Sequence, residues 1–170
     1  MIQPARRGFS VGVVGAVTAV LSTSALGVAA AAPADDEMPP SIVETFEYPG
    51  AAKILKEQGI ALRKGDGHIV LADCRMSSDI RVMTEFKHPG QTQQGTYCFK
   101  VTGTGKAGWL TLEVPQVYMV STGDYALDVK VDSNAGREQV KVAKNDYKGV
   151  GKGADPSNDA TTLIELRVTS

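Results

Sequence analysis

Residues Tyr125–Ala143 read YALDVKVDSNAGREQVKVA. Tyr125, Leu127, Val129 and Val131 alternate with Ala126, Asp128, Lys130 and Asp132, and Val140 and Val142 alternate with Lys141 and Ala143. A period of two belongs to a strand with one face in the core and one in water. Between the runs, Ser133-Asn134-Ala135-Gly136 supplies turn residues, because Gly accepts positive φ and Asn tolerates the left-handed region. The stretch predicts a β-hairpin with Asn134 and Gly136 at its bend.

The same text continues on both sides. Ile60–Arg63, His68–Cys74, Asp79–Lys87, Thr96–Thr102, Gly108–Val114, Gln116–Ser121 and Thr161–Thr169 also read as strands, separated by Gly- and Pro-rich turns. Pro115 stands between two apolar runs, where it bends one long strand or marks a sheet edge. Lys144–Ala160 reads as an exposed polar loop. Ahead of the strands, Ala51–Gly59 predicts a short helix that stops at Gly59, with Ala51, Ile54, Leu55 and Gln58 on one side. The expected fold is all-β, an antiparallel β-sandwich of about eight strands with one short N-terminal helix and one disulfide.

The first residues are of a different kind. Arg6 and Arg7 precede a Gly/Ala/Ser-rich apolar run from Val11 to Ala32, closed by Ala32-Pro33-Ala34 and then Asp35. That is the layout of a cleaved secretory signal peptide over residues 1–34, with a trace of the twin-arginine type in Arg6-Arg7. Residues 35–50 then form an extended N-terminal arm, and 51–170 the β-sandwich domain. The expected location is secreted and extracellular.

The chain has 170 residues, 18 basic and 19 acidic. Loss of Arg6 and Arg7 with the leader leaves 136 residues, 16 basic and 19 acidic, net −3. A basic surface for nucleic acid is not expected, nor a membrane span after signal cleavage. Cys74 and Cys98 are the two cysteines. In an exported domain of this size they are expected to pair, which stabilises by about 3–4 kcal/mol on a chain-entropy estimate.

Chemistry-bearing patterns are sparse. Gly65–Cys74, GDGHIVLADC, gathers Asp66, His68, Asp73 and Cys74. As a strand it holds His68 and Cys74 about 20 Å apart, too far for a dyad. His68 and His88 are the two histidines, each beside a turn. A carboxylate from Asp66, Asp73, Asp79 or Glu85 would have to join them to make a metal centre, and no metal-ligand spacing is present. Gly103–Gly108 matches G-x-G-x-x-G, yet a strand follows in place of a helix, so it reads as a hairpin loop. Gly149–Gly153 lacks the Walker spacing, and G-x-S-x-G is absent. Trp109, the one tryptophan, reads as a core plug or a sugar platform. No enzyme, cofactor or metal is expected.

What stands out is the arm. Ser41–Tyr48, SIVETFEY, is amphiphilic and extended, with Ile42, Glu44, Phe46 and Tyr48 alternating against Val43, Thr45 and Glu47. Such a segment either pairs along its own domain or inserts into a partner's groove or sheet edge. Ile42, Val43, Phe46 and Tyr48 are the candidate partner-binding residues.

Ser41–Leu55 (SIVETFEYPGAAKIL), Gly65–Cys74, Cys98–Gly103 (CFKVTG), Gly108–Tyr118 (GWLTLEVPQVY) and Gly149–Val168 (GVGKGADPSNDATTLIELRV) occur in that order. Together they resemble small secreted actinomycete β-sandwich proteins, and within that group the adaptor subunits of umbrella toxin particles. The resemblance implies a non-enzymatic bridge between a lectin built on a degenerate trypsin-like domain and a large repeat-containing toxin subunit. It also implies that the arm, here Asp35–Tyr48, enters a cleft of the lectin. Two other classes compete. A secreted protease inhibitor would use Lys148 and Lys152 in the 144–160 loop. A carbohydrate-binding module would need more exposed aromatics than a single Trp.

Overall fold

The computed structural model describes residues 46–104 and 107–169. The leader, the arm as far as residue 45 with Ile42 and Val43, and Gly105 and Lys106 lie outside them. In chain order the elements are α1 (Ala51–Gln58), β1 (Ala61–Gly65), β2 (Ile69–Ala72), β3 (Ile80–Thr84), β4 (Thr96–Val101), β5 (Gly108–Thr122), β6 (Ala126–Ser133), β7 (Gly136–Val142), β8 (Tyr147–Gly149), a 3₁₀ turn (Gly151–Gly153) and β9 (Thr161–Thr169).

β5 organises the rest. The two segments on either side of Pro115 form one strand of 15 residues. Proline gives the ladder no N–H, and Gln116 next to it has φ 54°, so the strand bends and its register with β9 shifts on both sides of Val114. The bend is held from β3: the Thr84 hydroxyl donates to the Pro115 carbonyl at 2.5 Å, and Glu85 N–H donates to Gln116 O. Before the bend β5 pairs with β1 and β9; beyond it, with β3 and β8 and, at Val117, still with Thr161 of β9.

All pairing is antiparallel, in the order β2-β4-β3-β5-β9-β6-β7, with β1 and β8 also on β5. The fold is therefore all-β, and the expected sandwich is realised as one continuous nine-stranded sheet bent over a single core. Phe99, Ile80 and Val82 from one side and Leu110, Leu127, Leu163 and Leu166 from the other fill that core. Each is essentially without solvent contact, and each contributes roughly 1.5–3 kcal/mol by leaving water.

The predicted hairpin is present, with Ser133 opposite Gly136 and Asp132 opposite Arg137. Its bend residues are Asn134 and Ala135, while Gly136, at φ 115°, opens the return strand. Thr161–Thr169 and the helix also fall where the periodicity puts them. Gly59 ends α1 in the left-handed conformation and donates to Leu55 O. Within α1, Ile54 packs on the core whereas Leu55 turns outward.

Two expectations need correction. Gly103–Gly108 is not a hairpin loop, because β4 pairs with β2 and β3 and not with β5; its described ends, Gly103 and Gly108, lie against His68. Lys144–Ala160 is not a plain loop either: β8 pairs along Met119–Ser121, and the 3₁₀ turn follows. Gly153 makes the second possible, since a Cβ there would come within 1.8 Å of the Tyr118 carbonyl.

Candidate functional site

Phe46–Tyr48, the described end of the arm, is bonded into the sheet. Tyr48 N–H donates to Arg63 O and Gly65 N–H to Phe46 O, both at 2.8 Å, and Glu47 bridges Lys64 in antiparallel fashion. On its other side the Tyr48 hydroxyl accepts the Leu71 N–H of β2 at 2.8 Å. Burial raises the Tyr48 phenol above its usual pKa, with the Leu71 hydrogen bond acting in the opposite direction. Hydrogen bonding thus runs from β5 through β1 to Phe46–Tyr48, across one side chain to β2, and back through β4 and β3 to β5. Of the two fates open to the arm, pairing in its own domain is the one these three residues adopt.

Phe46 remains half exposed at 50% and lies tilted on Trp109, ring centroids 6.1 Å apart. The Trp109 main chain is fixed by the neighbouring turn. Asp66 accepts the His68 N–H and the Trp109 N–H on its carboxylate at 3.0 and 3.1 Å, and Asp66 N–H donates to Trp109 O. Gly65 permits the approach, because a Cβ there would sit 2.9 Å from the Trp109 carbonyl. Trp109 is part-buried beneath Phe46. Tyr48, Pro49, Gly65, Gly67 and Val70 line an adjoining apolar cleft of about 310 Å³. Half-exposed aromatics beside an apolar cleft are the form an anchor site for a protein partner takes.

The remaining candidates are distributed as follows. Cys74 and Cys98 are joined, with Cα atoms 5.1 Å apart. β2 ends at Ala72, and the Asp73 carboxylate accepts the Arg75 N–H and pairs with its guanidinium, so Cys74 lies in a turn. That pairing, led by the Arg75 side-chain hydrogen bond, holds the Asp73 carboxyl at about 2. His68 lies against Gly103 and Gly108, with Nδ1 3.6 Å from Asp66. His88 packs against Gly59 and accepts the Gly90 N–H on Nδ1. Among the described residues no three His, Cys, Asp or Glu side chains stand close enough to hold a metal. Lys148 lies in β8 opposite Val120, and Lys152 in the 3₁₀ turn. No helix of the described residues is long and apolar enough to cross a membrane.

Sequence reasoning singled out Phe46 and Tyr48 but missed Asp66, which holds the main chain of Trp109 beneath Phe46. Asp before Gly signals a side chain that bonds the amide two residues on, and it does so here with His68. The second bond, to Trp109, spans 43 residues and has no local signal. No family model matches the chain, and no curated protein matches it.

Proposed function

We propose that the protein is a secreted, non-enzymatic adaptor that holds protein partners through its N-terminal arm and the site at the arm's root. The observation that carries this reading is Phe46, half exposed on Trp109 beside the cleft of Tyr48, Pro49 and Val70. An apolar side chain kept in water at the exit of an amphiphilic segment is a cost to the free protein that a bound partner removes. The Cys74–Cys98 bond is compatible with an extracellular setting. In line with the resemblance, the partners would be a lectin with a degenerate trypsin-like domain and a large repeat-containing toxin subunit, assembled as an extracellular antibacterial complex.

The test is affinity capture from culture supernatant with the intact exported chain, followed by mass spectrometry. The wild-type chain is expected to recover secreted partners, and Phe46→Ala to lose at least one while keeping its thermal transition. Equal recovery by a folded chain lacking residues 35–45 and carrying Phe46→Ala would end the proposal.

A further inference from the structure

Among the described residues the arginines divide in an unexpected way. Arg63, Arg75, Arg137 and Arg167 are exposed, and each meets a carboxylate, from Glu113, Asp73, Asp132 and Glu165 in turn. Arg81 is more buried than any of them and has no carboxylate partner among the described residues. Its Nε is closed off from solvent and meets no acceptor. An exposed ion pair gains little, whereas a buried donor without an acceptor costs the fold free energy. Asp79, two residues earlier, accepts the Val101 N–H at 2.9 Å instead.

Arg81 stands in the middle of a sheet face. Paired residues share a face, and Arg81 is opposite Cys98 of β4 and Ser121 of β5. Met83 is opposite Thr96 and Met119. Ile80 and Val82 point into the core, so Arg81 and Met83 point outward. Beyond Ser121 the same row reaches Tyr147 of β8, which is 64% exposed and two strand spacings, about 10 Å, from Arg81. Met83 and Met119 are part-exposed beside it. The cystine ties to this row the turn that carries Met76, 84% exposed. Arg, Met and Tyr are the residues in which the centre of a protein interface is enriched, and these two rows hold no other charged residue.

The unpaired cation selects the occupant. A second copy packed on this row would bring Arg81 towards its like, which disfavours self-association. A free phosphate would use the guanidinium and leave Met83, Met119 and Tyr147 in water. A carboxylate carried on an apolar protein surface uses both.

We propose that the outer face of β3, β5 and β8 is a docking surface for a partner protein that presents an Asp or Glu amid apolar residues. The carboxylate meets the Arg81 guanidinium, and the apolar residues cover Met83, Met119 and Tyr147. Arginine suits the task, because its planar fork matches a carboxylate and is more weakly hydrated than an ammonium. Met119 and Ser121 lie at the opposite end of β5 from Trp109, so this surface is distinct from the arm root and does not depend on it.

The experiment is an NMR titration of the full chain with a blocked Leu-Glu-Leu peptide, read at the Arg81 Nε–H and at the Met83 and Met119 methyl groups. All three signals are expected to shift and saturate together. A Leu-Gln-Leu peptide is expected to bind about tenfold more weakly, and inorganic phosphate to leave the methyl signals unmoved. Arg81→Gln is expected to weaken the methyl response to the Glu peptide about tenfold. If that variant does not fold, the contrast between the two peptides on the wild type carries the same inference. Absence of a response, an equal response to the Gln peptide, or the same methyl shifts with phosphate overturns it. So does binding that appears only when residues 35–45 are removed, which would make the acidic lead of the chain's own arm the occupant. None of these signals lies at Phe46 or Trp109, so this reading and capture through the arm can fail separately.

Discussion

The hydroxyl of Tyr48 accepts the main-chain N–H of Leu71 at 2.8 Å, and that one contact joins the root of the arm to β2. The same residue's N–H is bound to Arg63 O on β1. Tyr48 is thus the seam between two strands that do not pair with each other. Phe46, two residues earlier, keeps its side chain available at the surface.

Tyr48→Phe removes the acceptor and leaves the ring. The Leu71 N–H then loses its partner in a part-buried place, which costs about 1–2 kcal/mol. Chemical denaturation is expected to show a lower midpoint with an unchanged slope, and amide exchange at Leu71 is expected to speed up. An unaltered midpoint would show that the seam is not structural.

Replacing Cys74 and Cys98 by Ser opens a link between residues 24 apart. The expected loss is about 3–4 kcal/mol, read as a fall in thermal midpoint that reductant reproduces in the wild type. Cys98 is fully buried, so Ser at that position adds the cost of a buried hydroxyl, and Ala there is the milder replacement.

Gly153→Ala tests whether the 3₁₀ turn is bound to β5. Its Cβ would meet the Tyr118 carbonyl at 1.8 Å, a backbone atom that cannot rotate away. Displacement of the turn is expected to destabilise the fold by about 1–3 kcal/mol and to expose the amides of β8 to exchange. A variant as stable as the wild type would show that the turn moves freely.

Acid is expected to weaken the fold through two carboxylates. Burial opposes ionisation of Glu165, but hydrogen bonds from Lys130 at 3.0 Å and Arg167 at 3.1 Å prevail and hold its pKa below the usual value. Asp73 is held at about 2 by Arg75. Both are depressed in the folded state, so their contribution is present above the ordinary carboxylate range and is lost as pH falls through the folded values. Thermal midpoints measured from neutral pH to below the usual carboxylate range are expected to decline, and Glu165→Gln to decline less steeply.

The legible parts of this fold are those whose cause is local. Alternation in Leu127–Val131 gave the hairpin, Gly59 the end of α1, and the two cysteines the cystine. β8 was not legible, because Tyr147, Lys148 and Gly149 are too few to show a period and their partners Met119–Ser121 are distant in sequence. The connection from β4 to β5 was misread for a related reason: chain order suggests neighbours, but β4 pairs with β2 and β3. At the site, Phe46 and Tyr48 were visible as alternating apolar residues. What holds Trp109 beneath Phe46, the Asp66 bond to the Trp109 N–H, is a contact between remote residues that composition does not announce.

The bent strand β5 has a consequence for how the molecule comes apart. Its 15 residues serve both halves of the sheet, so neither half can melt and leave the other with a complete set of partners. Unfolding should then be all-or-none, with calorimetric and van't Hoff enthalpies in agreement. With most pairings between remote residues, refolding belongs to the slow class of small domains.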